Sequence, residues 1–228
     1  MMRYAWGILL LLTFSSVSVD AQDKSVKPGI NDSFRDPKVD DFVERFEVES
    51  REVYAKRKEI VQALKLAPGS TIADVGAGTG LFTQLFAKAV GEIGNVIAVD
   101  ISQNFLDHIA ATCKEKKLNQ VVGILCTADD TKLPENSVDA VYICDTYHHF
   151  EFPLKTMASI RRAMKPGARL YVIDFIRIEG ESSEWTLSHV RAGQEVFEKE
   201  ILSCGFKKVG DHSKILKENY FLVFEKTE

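Results

Sequence analysis

Cationic stretches are scarce in this chain of 228 residues: 29 Lys and Arg stand against 33 Asp and Glu, for a formal net charge of −4. The densest cationic run is Lys114-Glu115-Lys116-Lys117. Nucleic-acid backbones are held by a basic stripe, so nucleic acid is excluded as the expected partner. The lysine run instead closes a predicted helix, where positive side chains complement the dipole. Internal repeats and low-complexity tracts are absent. Only four cysteines occur, Cys113, Cys126, Cys144 and Cys204, with no CxxC pair and no metal-type spacing, so no metal is expected. Cys126 and Cys144 close different predicted strands, and Cys113 and Cys204 lie on predicted helices far apart in sequence. All four read as buried thiols, with Cys113–Cys126 the least implausible pairing.

Long apolar runs are missing as well. The longest, Ala5 to Phe14, is too short for a membrane span, which needs about twenty apolar residues, and no stable membrane insertion is expected. With Arg3 before it and Val19-Asp20-Ala21 ahead of Gln22, residues 1–21 read as a cleaved secretory signal peptide. The mature protein is therefore expected to be exported, to a periplasm or an equivalent lumen. The whole chain is 45% hydrophobic and 27% charged, which fits one globular domain with a short extension. A domain of that size buries its core without disulfides or metal.

Residues 22–38 are polar, punctuated by Pro28, Gly29 and Pro37, and read as a flexible, loose arm. Over 39–66, Val39, Phe42, Val43, Phe46, Val53, Ile60, Val61 and Leu64 recur at helical spacing. Ser50 and Arg57 interrupt the stripe, leaving one helix or two with a bend. From residue 67, strands at Thr71–Val75, Val96–Asp100, Val121–Cys126, Val138–Cys144 and Arg169–Phe175 alternate with helices near Leu81–Val90, Gln103–Lys117, Leu154–Met164 and Ala192–Cys204. That alternation implies an α/β fold, a parallel sheet with helices on both faces. The end departs from it: Phe206–Val209 and Tyr220–Lys226 have no helix between them and predict an antiparallel terminal hairpin. Seven strands result, in a Rossmann-like, mostly parallel sheet.

Asp74-Val75-Gly76-Ala77-Gly78-Thr79-Gly80 joins the first strand to the first helix of the main domain. Glycines there permit close backbone approach to a ligand, and the helix start offers free N–H groups. A dinucleotide fingerprint needs its third glycine at the sixth position, which here is Leu81. Asp74 would also oppose a pyrophosphate and welcome a cationic amine. This D-x-G-x-G-x-G pattern resembles motif I of the class I S-adenosylmethionine-dependent methyltransferases. Val96 to Asp100, the acidic turn Ala128 to Pro134, Ser137 to Asp145 and the turn Met164 to Val172 resemble further motifs of that family, in its ubiquinone and menaquinone biosynthesis branch.

The resemblance implies S-adenosylmethionine as cofactor, held by Asp74, Gly76, Gly78, Gly80, Asp100, Ile101, Asp129 and Asp145. Asp100 would accept the ribose hydroxyls, Asp129 would meet the adenine amine, and the 39–66 segment would act as a lid helix or merely cover the sheet edge. Tyr54 and Arg51 on it are candidates for closing over the cofactor. The acceptor is expected to be a small molecule, quinone-like in that branch. His148, His149 and His189 are the candidate catalytic residues, because imidazole suits proton removal at neutral pH. Arg177 and Arg191 are candidates for an anionic acceptor; Trp185 and Phe152 are candidate walls. Export sits awkwardly with a cytoplasmic methyl donor, so a second reading is an exported, non-enzymatic binder of an adenosyl compound or a metal.

Overall fold

Residues 22–227 are described by a computed structural model; the expected signal segment lies outside them. The strands are β1 (Thr71–Val75), β2 (Asn95–Asp100), β3 (Val121–Leu125), β4 (Val138–Cys144), β5 (Met164–Phe175), β6 (Phe206–Asp211) and β7 (Asn219–Lys226). They form one sheet in the order β3-β2-β1-β4-β5-β7-β6. The first five are parallel, and β7 runs antiparallel between β5 and β6. The expected closing hairpin is therefore present.

Successive strand residues face opposite layers, and the apolar pattern follows that period of two. Ala73, Val75, Val141, Ile143, Leu170 and Val172 pack with Met157 and Ile160 of α7 (Pro153–Ala163) and with Phe197 and Ile201 of α9 (Gln194–Ser203). Ile72, Ala140, Tyr142 and Ile173 face α4 (Arg57–Leu64) and α5 (Leu81–Val90), meeting Ile60, Leu64, Phe86 and Val90. A further helix, α6 (Gln103–Glu115), covers β2 and β3 through Leu106, Ile109 and Cys113. Because α5 and α7 leave β1 and β4 toward opposite faces, a crevice opens at the carboxyl ends of those two strands. Open α/β sheets bind their ligands at this switch point.

Two stretches differ from expectation in detail. β5 begins at Met164, pairing with Val138, and resumes with Arg169 opposite Ala140, so the Pro166-Gly167 turn bulges out of the strand. The six residues of α8 (Glu184–His189) form a helix too short to show periodicity; the Ser183 hydroxyl caps it by accepting from the Thr186 N–H at 3.1 Å.

The amino-terminal segments close over the crevice. The 39–66 stretch folds as α2 (Val39–Phe46), α3 (Glu52–Ala55) and α4 rather than one or two helices. α2 and the turn after it line the crevice, whereas Val53, Ile60 and Leu64 are buried against the face of the sheet at β1, β4 and β5 rather than at its edge. Residues 22–38, including α1 (Asp32–Arg35), are anchored rather than loose. The Val26 N–H donates to the Glu151 carbonyl at 2.9 Å, and Asn31 Nδ2 donates to the His149 carbonyl at 3.0 Å. Lys27 Nζ donates to the His189 carbonyl at 2.6 Å. Polarity misled the sequence reading, because these polar groups find partners on the domain instead of water. Among the described residues, no helix is long and apolar enough to cross a membrane.

Candidate active site

The first wall of the crevice is backbone. Gly76, Gly78 and Gly80 all take positive φ, +74°, +52° and +80°. A Cβ on Gly76 would lie 2.2 Å from the Thr146 methyl, and one on Gly80 would lie 2.6 Å from Ile109. Those two glycines permit tight packing of the loop. Gly78 differs, since nothing lies within 4 Å of its virtual Cβ. Its space opens into the crevice.

Two carboxyls stand beside this loop. Asp74, 3% exposed, accepts from the Thr83 hydroxyl of α5 at 2.6 Å. Burial raises its pKa to about 7; Thr83 opposes the shift and the Asp100 charge adds to it. A buried acid without a cation beside it is costly to ionise. Asp100 accepts from the Gly78 N–H and the Ser102 N–H, each at 2.9 Å, and burial raises its pKa against those bonds. Two oxygens with about four lone-pair sites leave capacity for ligand hydroxyls.

The second wall comes from distant segments. Asp145, at φ +48°, accepts from Arg51 at 2.6 Å and from Asn219 Nδ2 of β7 at 2.6 Å. Arg51 also lies over the Phe46 ring, 4.6 Å from its centroid, so the lid is tied to the end of β4. Past Asp145 a single 3₁₀ turn over Tyr147–His149 brings both His148 and His149 to the cavity, their ring centroids 4.3 Å apart, where the adjacency of the two in sequence predicts only one there. His148 Nδ1 lies 2.8 Å from Asp174 Oδ1, and its backbone N–H donates to Asp174 Oδ2. His149 Nε2 lies 3.2 Å from His189 Nε2, and the His189 ring stacks on Trp185 at 4.7 Å. Burial pushes His149 down to about 2 and His189 down to about 4, with the neighbouring His148 deepening both shifts. Both shifts favour the neutral imidazole.

These walls enclose a cavity of about 420 Å³, ordinary for a small-molecule site. Asp74, Gly76, Gly78, Asp100, Ile101, Asp145, His148, His149, His189 and Trp185 line it. Of the residues expected at the cofactor, Gly80 shapes the loop from behind. Asp129 is off the wall and accepts from the Thr127 hydroxyl instead. Arg177 is spent on the Val190 and Leu187 carbonyls, and Arg191 on both oxygens of Glu200. Tyr54 lies under Arg57, and neither it nor Phe152 reaches the cavity. The sequence reading missed Asn31 and Phe34 of the arm, Phe105, and the Asn219 contact to Asp145. Only Phe105 left a signal, as an apolar position on a predicted helix.

The family model described as a methyltransferase domain matches residues 73–172, the span that contains the glycine loop, both acids and β4. Over that span the chain is similar to the class I S-adenosylmethionine-dependent methyltransferases. Its similarity to the ubiquinone/menaquinone biosynthesis C-methyltransferase UbiE of Burkholderia mallei is 32% identity over 122 residues, 52% of this chain and 48% of that one. The chain thus spans about half the length of the curated relatives it matches. A SAM-dependent methyltransferase from Aquifex aeolicus has the same fold, with a TM-score of 0.72 at 23% identity over 81% of this chain and 96% of the other. The cyclase SpnF shares the fold too, with a TM-score of 0.65 at 18% identity over 76% of this chain and 81% of that one. These likenesses therefore fix the architecture more firmly than the reaction.

Proposed function

We propose that the chain transfers a methyl group from S-adenosylmethionine to a small-molecule acceptor. The observation that carries this reading is Asp74, a buried carboxyl with no cation beside it at the foot of an open glycine turn. A ligand with a cationic amine supplies the missing charge, and Asp100 has lone pairs left for a ribose diol. The electron pair of the S–CH₃ bond stays with sulfur as the methyl moves to an acceptor nucleophile. Alignment of the two partners is then the protein's main contribution. The enzymatic reading is favoured over the non-enzymatic one by the family match.

A flat, apolar acceptor of quinone type is the finer proposal. It is supported by the rings of Phe34, Phe46, Phe105, Phe175 and Trp185 on the cavity wall and by the name of the Burkholderia relative. Export to a periplasm is likewise a proposal, resting on residues 1–21 and tested by fractionating cells that express the full chain. Calorimetry on residues 22–228 tests the donor: S-adenosylmethionine should bind, NADH should not, and Asp100→Ala should weaken donor binding about a hundredfold by removing charge-assisted bonds. Heat from NADH, or donor binding untouched by Asp100→Ala, overturns the reading.

A further inference from the structure

We propose that His148, His149 and His189 form a binding site for a divalent transition-metal cation of the zinc class, with one coordination position open to the cavity. One ring nitrogen from each residue lies within 4.8 Å of the other two. His149 Nε2 and His189 Nε2 are already 3.2 Å apart. Tetrahedral coordination with Zn–N near 2.1 Å places ligand nitrogens about 3.4 Å apart, so this pair needs almost no movement.

His148 completes the set. Its Nδ1 faces Asp174, which is fully buried and pinned by the backbone N–H groups of His148 and Phe175. A carboxylate on Nδ1 holds the proton there and leaves Nε2 as a bare lone pair, the arrangement metal-binding histidines use. That Nε2 is buried and has no hydrogen-bond partner among the described residues. An orphaned buried acceptor is costly, and a metal ion would satisfy it. The ring centroids of His148 lie 4.3 Å from His149 and 5.1 Å from His189, close enough for a side-chain adjustment to close the triad.

Arg45 lines the same cavity and its charge acts on His189. Lys27 directs its ammonium to the Ser188 and His189 carbonyls, and Asp174 supplies the carboxylate behind the cluster. Imidazole ligands select zinc, copper, nickel or iron over calcium or magnesium. Three protein ligands with a vacancy facing a cavity match catalytic rather than structural zinc sites. The vacant position would take a water or an acceptor oxygen. The acceptor oxygen rests on the methyl-transfer reading, but metal binding does not.

The test uses tag-free protein of residues 22–228, stripped with chelator and titrated with zinc or cobalt alone. One equivalent should bind with sub-micromolar affinity, raise the melting temperature, and give the intense visible bands of four-coordinate cobalt. His189→Ala and His149→Ala should each weaken binding about a hundredfold, whereas His108→Ala on α6 should leave it unchanged. His189 is the safer variant, being only half-buried at the cavity edge; circular dichroism confirms that each variant folds. Absence of saturable binding, or binding that survives both substitutions in folded protein, overturns the proposal. Donor calorimetry run in parallel separates its failure from failure of the methyl-transfer reading.

Discussion

The two walls of the cavity are built by opposite means. The glycine-loop wall, residues 74–101, is a contiguous stretch in which backbone conformation and two acids do the shaping. The other wall gathers the arm, the lid turn, the end of β4, α8 and the start of β7 from across the chain. A wall made of backbone demands particular residue types at fixed spacing. A wall made of converging side chains demands only that each segment arrive, which the fold decides.

The sharpest way to break this contrast is Gly76→Ala. The added methyl meets Thr146 at 2.2 Å while the residue keeps φ +74°, so strain and overpacking should cost about 2–5 kcal/mol in denaturant melts. Donor binding should vanish, and Thr146→Gly should restore part of both. Gly78→Ala sharpens the same point: with open space around it, stability should fall by only about 1 kcal/mol while donor affinity drops far more. If stability and binding fall together at Gly78, the open turn is not ligand space.

On the opposite wall, Arg51→Ala removes the cation from a nearly buried Asp145 and should cost about 1–3 kcal/mol, between the values for exposed and buried pairs. Asn219 remains bonded to that carboxyl, so the loss should be smaller than at Gly76. Asp74 provides a pH signature. Between the ordinary 3.8 and about 7 the folded protein holds a proton that the unfolded chain has released, so stability falls as pH rises through that window. Asp100 is shifted in the same direction, so the readout is the difference between wild type and Asp74→Asn, whose profile should be flatter. Donor binding should strengthen as pH passes about 7, releasing a proton measurable by calorimetry in buffers of different ionisation heat. The smallest effect is expected from Asn31→Ala, about 1 kcal/mol, seen as faster proteolysis of the arm. An arm cleaved no faster would mean that its anchoring resides in Lys27 and Val26.

The strands and the principal helices were legible because burial on both faces imposes apolar runs, and helices covering a sheet impose their own period. The turn that places Asp74, Gly76 and Gly78 on the cavity wall was legible because only certain residues fit so tight a bend. Asp129 was misplaced because an acidic turn does not reveal where its carboxyls point: Asp129 accepts from the Thr127 hydroxyl and Asp130 from the Lys132 N–H and Arg162, and neither lines the cavity. The arm was misread because polarity is the same in a solvated tail and in one that bonds to Glu151 and His149.

By itself the sequence determined the sheet, its antiparallel ending and the glycine loop, since those depend on periodicity and on backbone dihedrals that a few residue types allow. Only the tertiary structure decided that His189 meets His149 across 40 positions, that Asp174 orients His148, that Asn31 reaches the cavity, and that Asn219 holds Asp145 on its wall. Such meetings follow from strand order and crossover direction, long-range consequences of packing that no local spacing records.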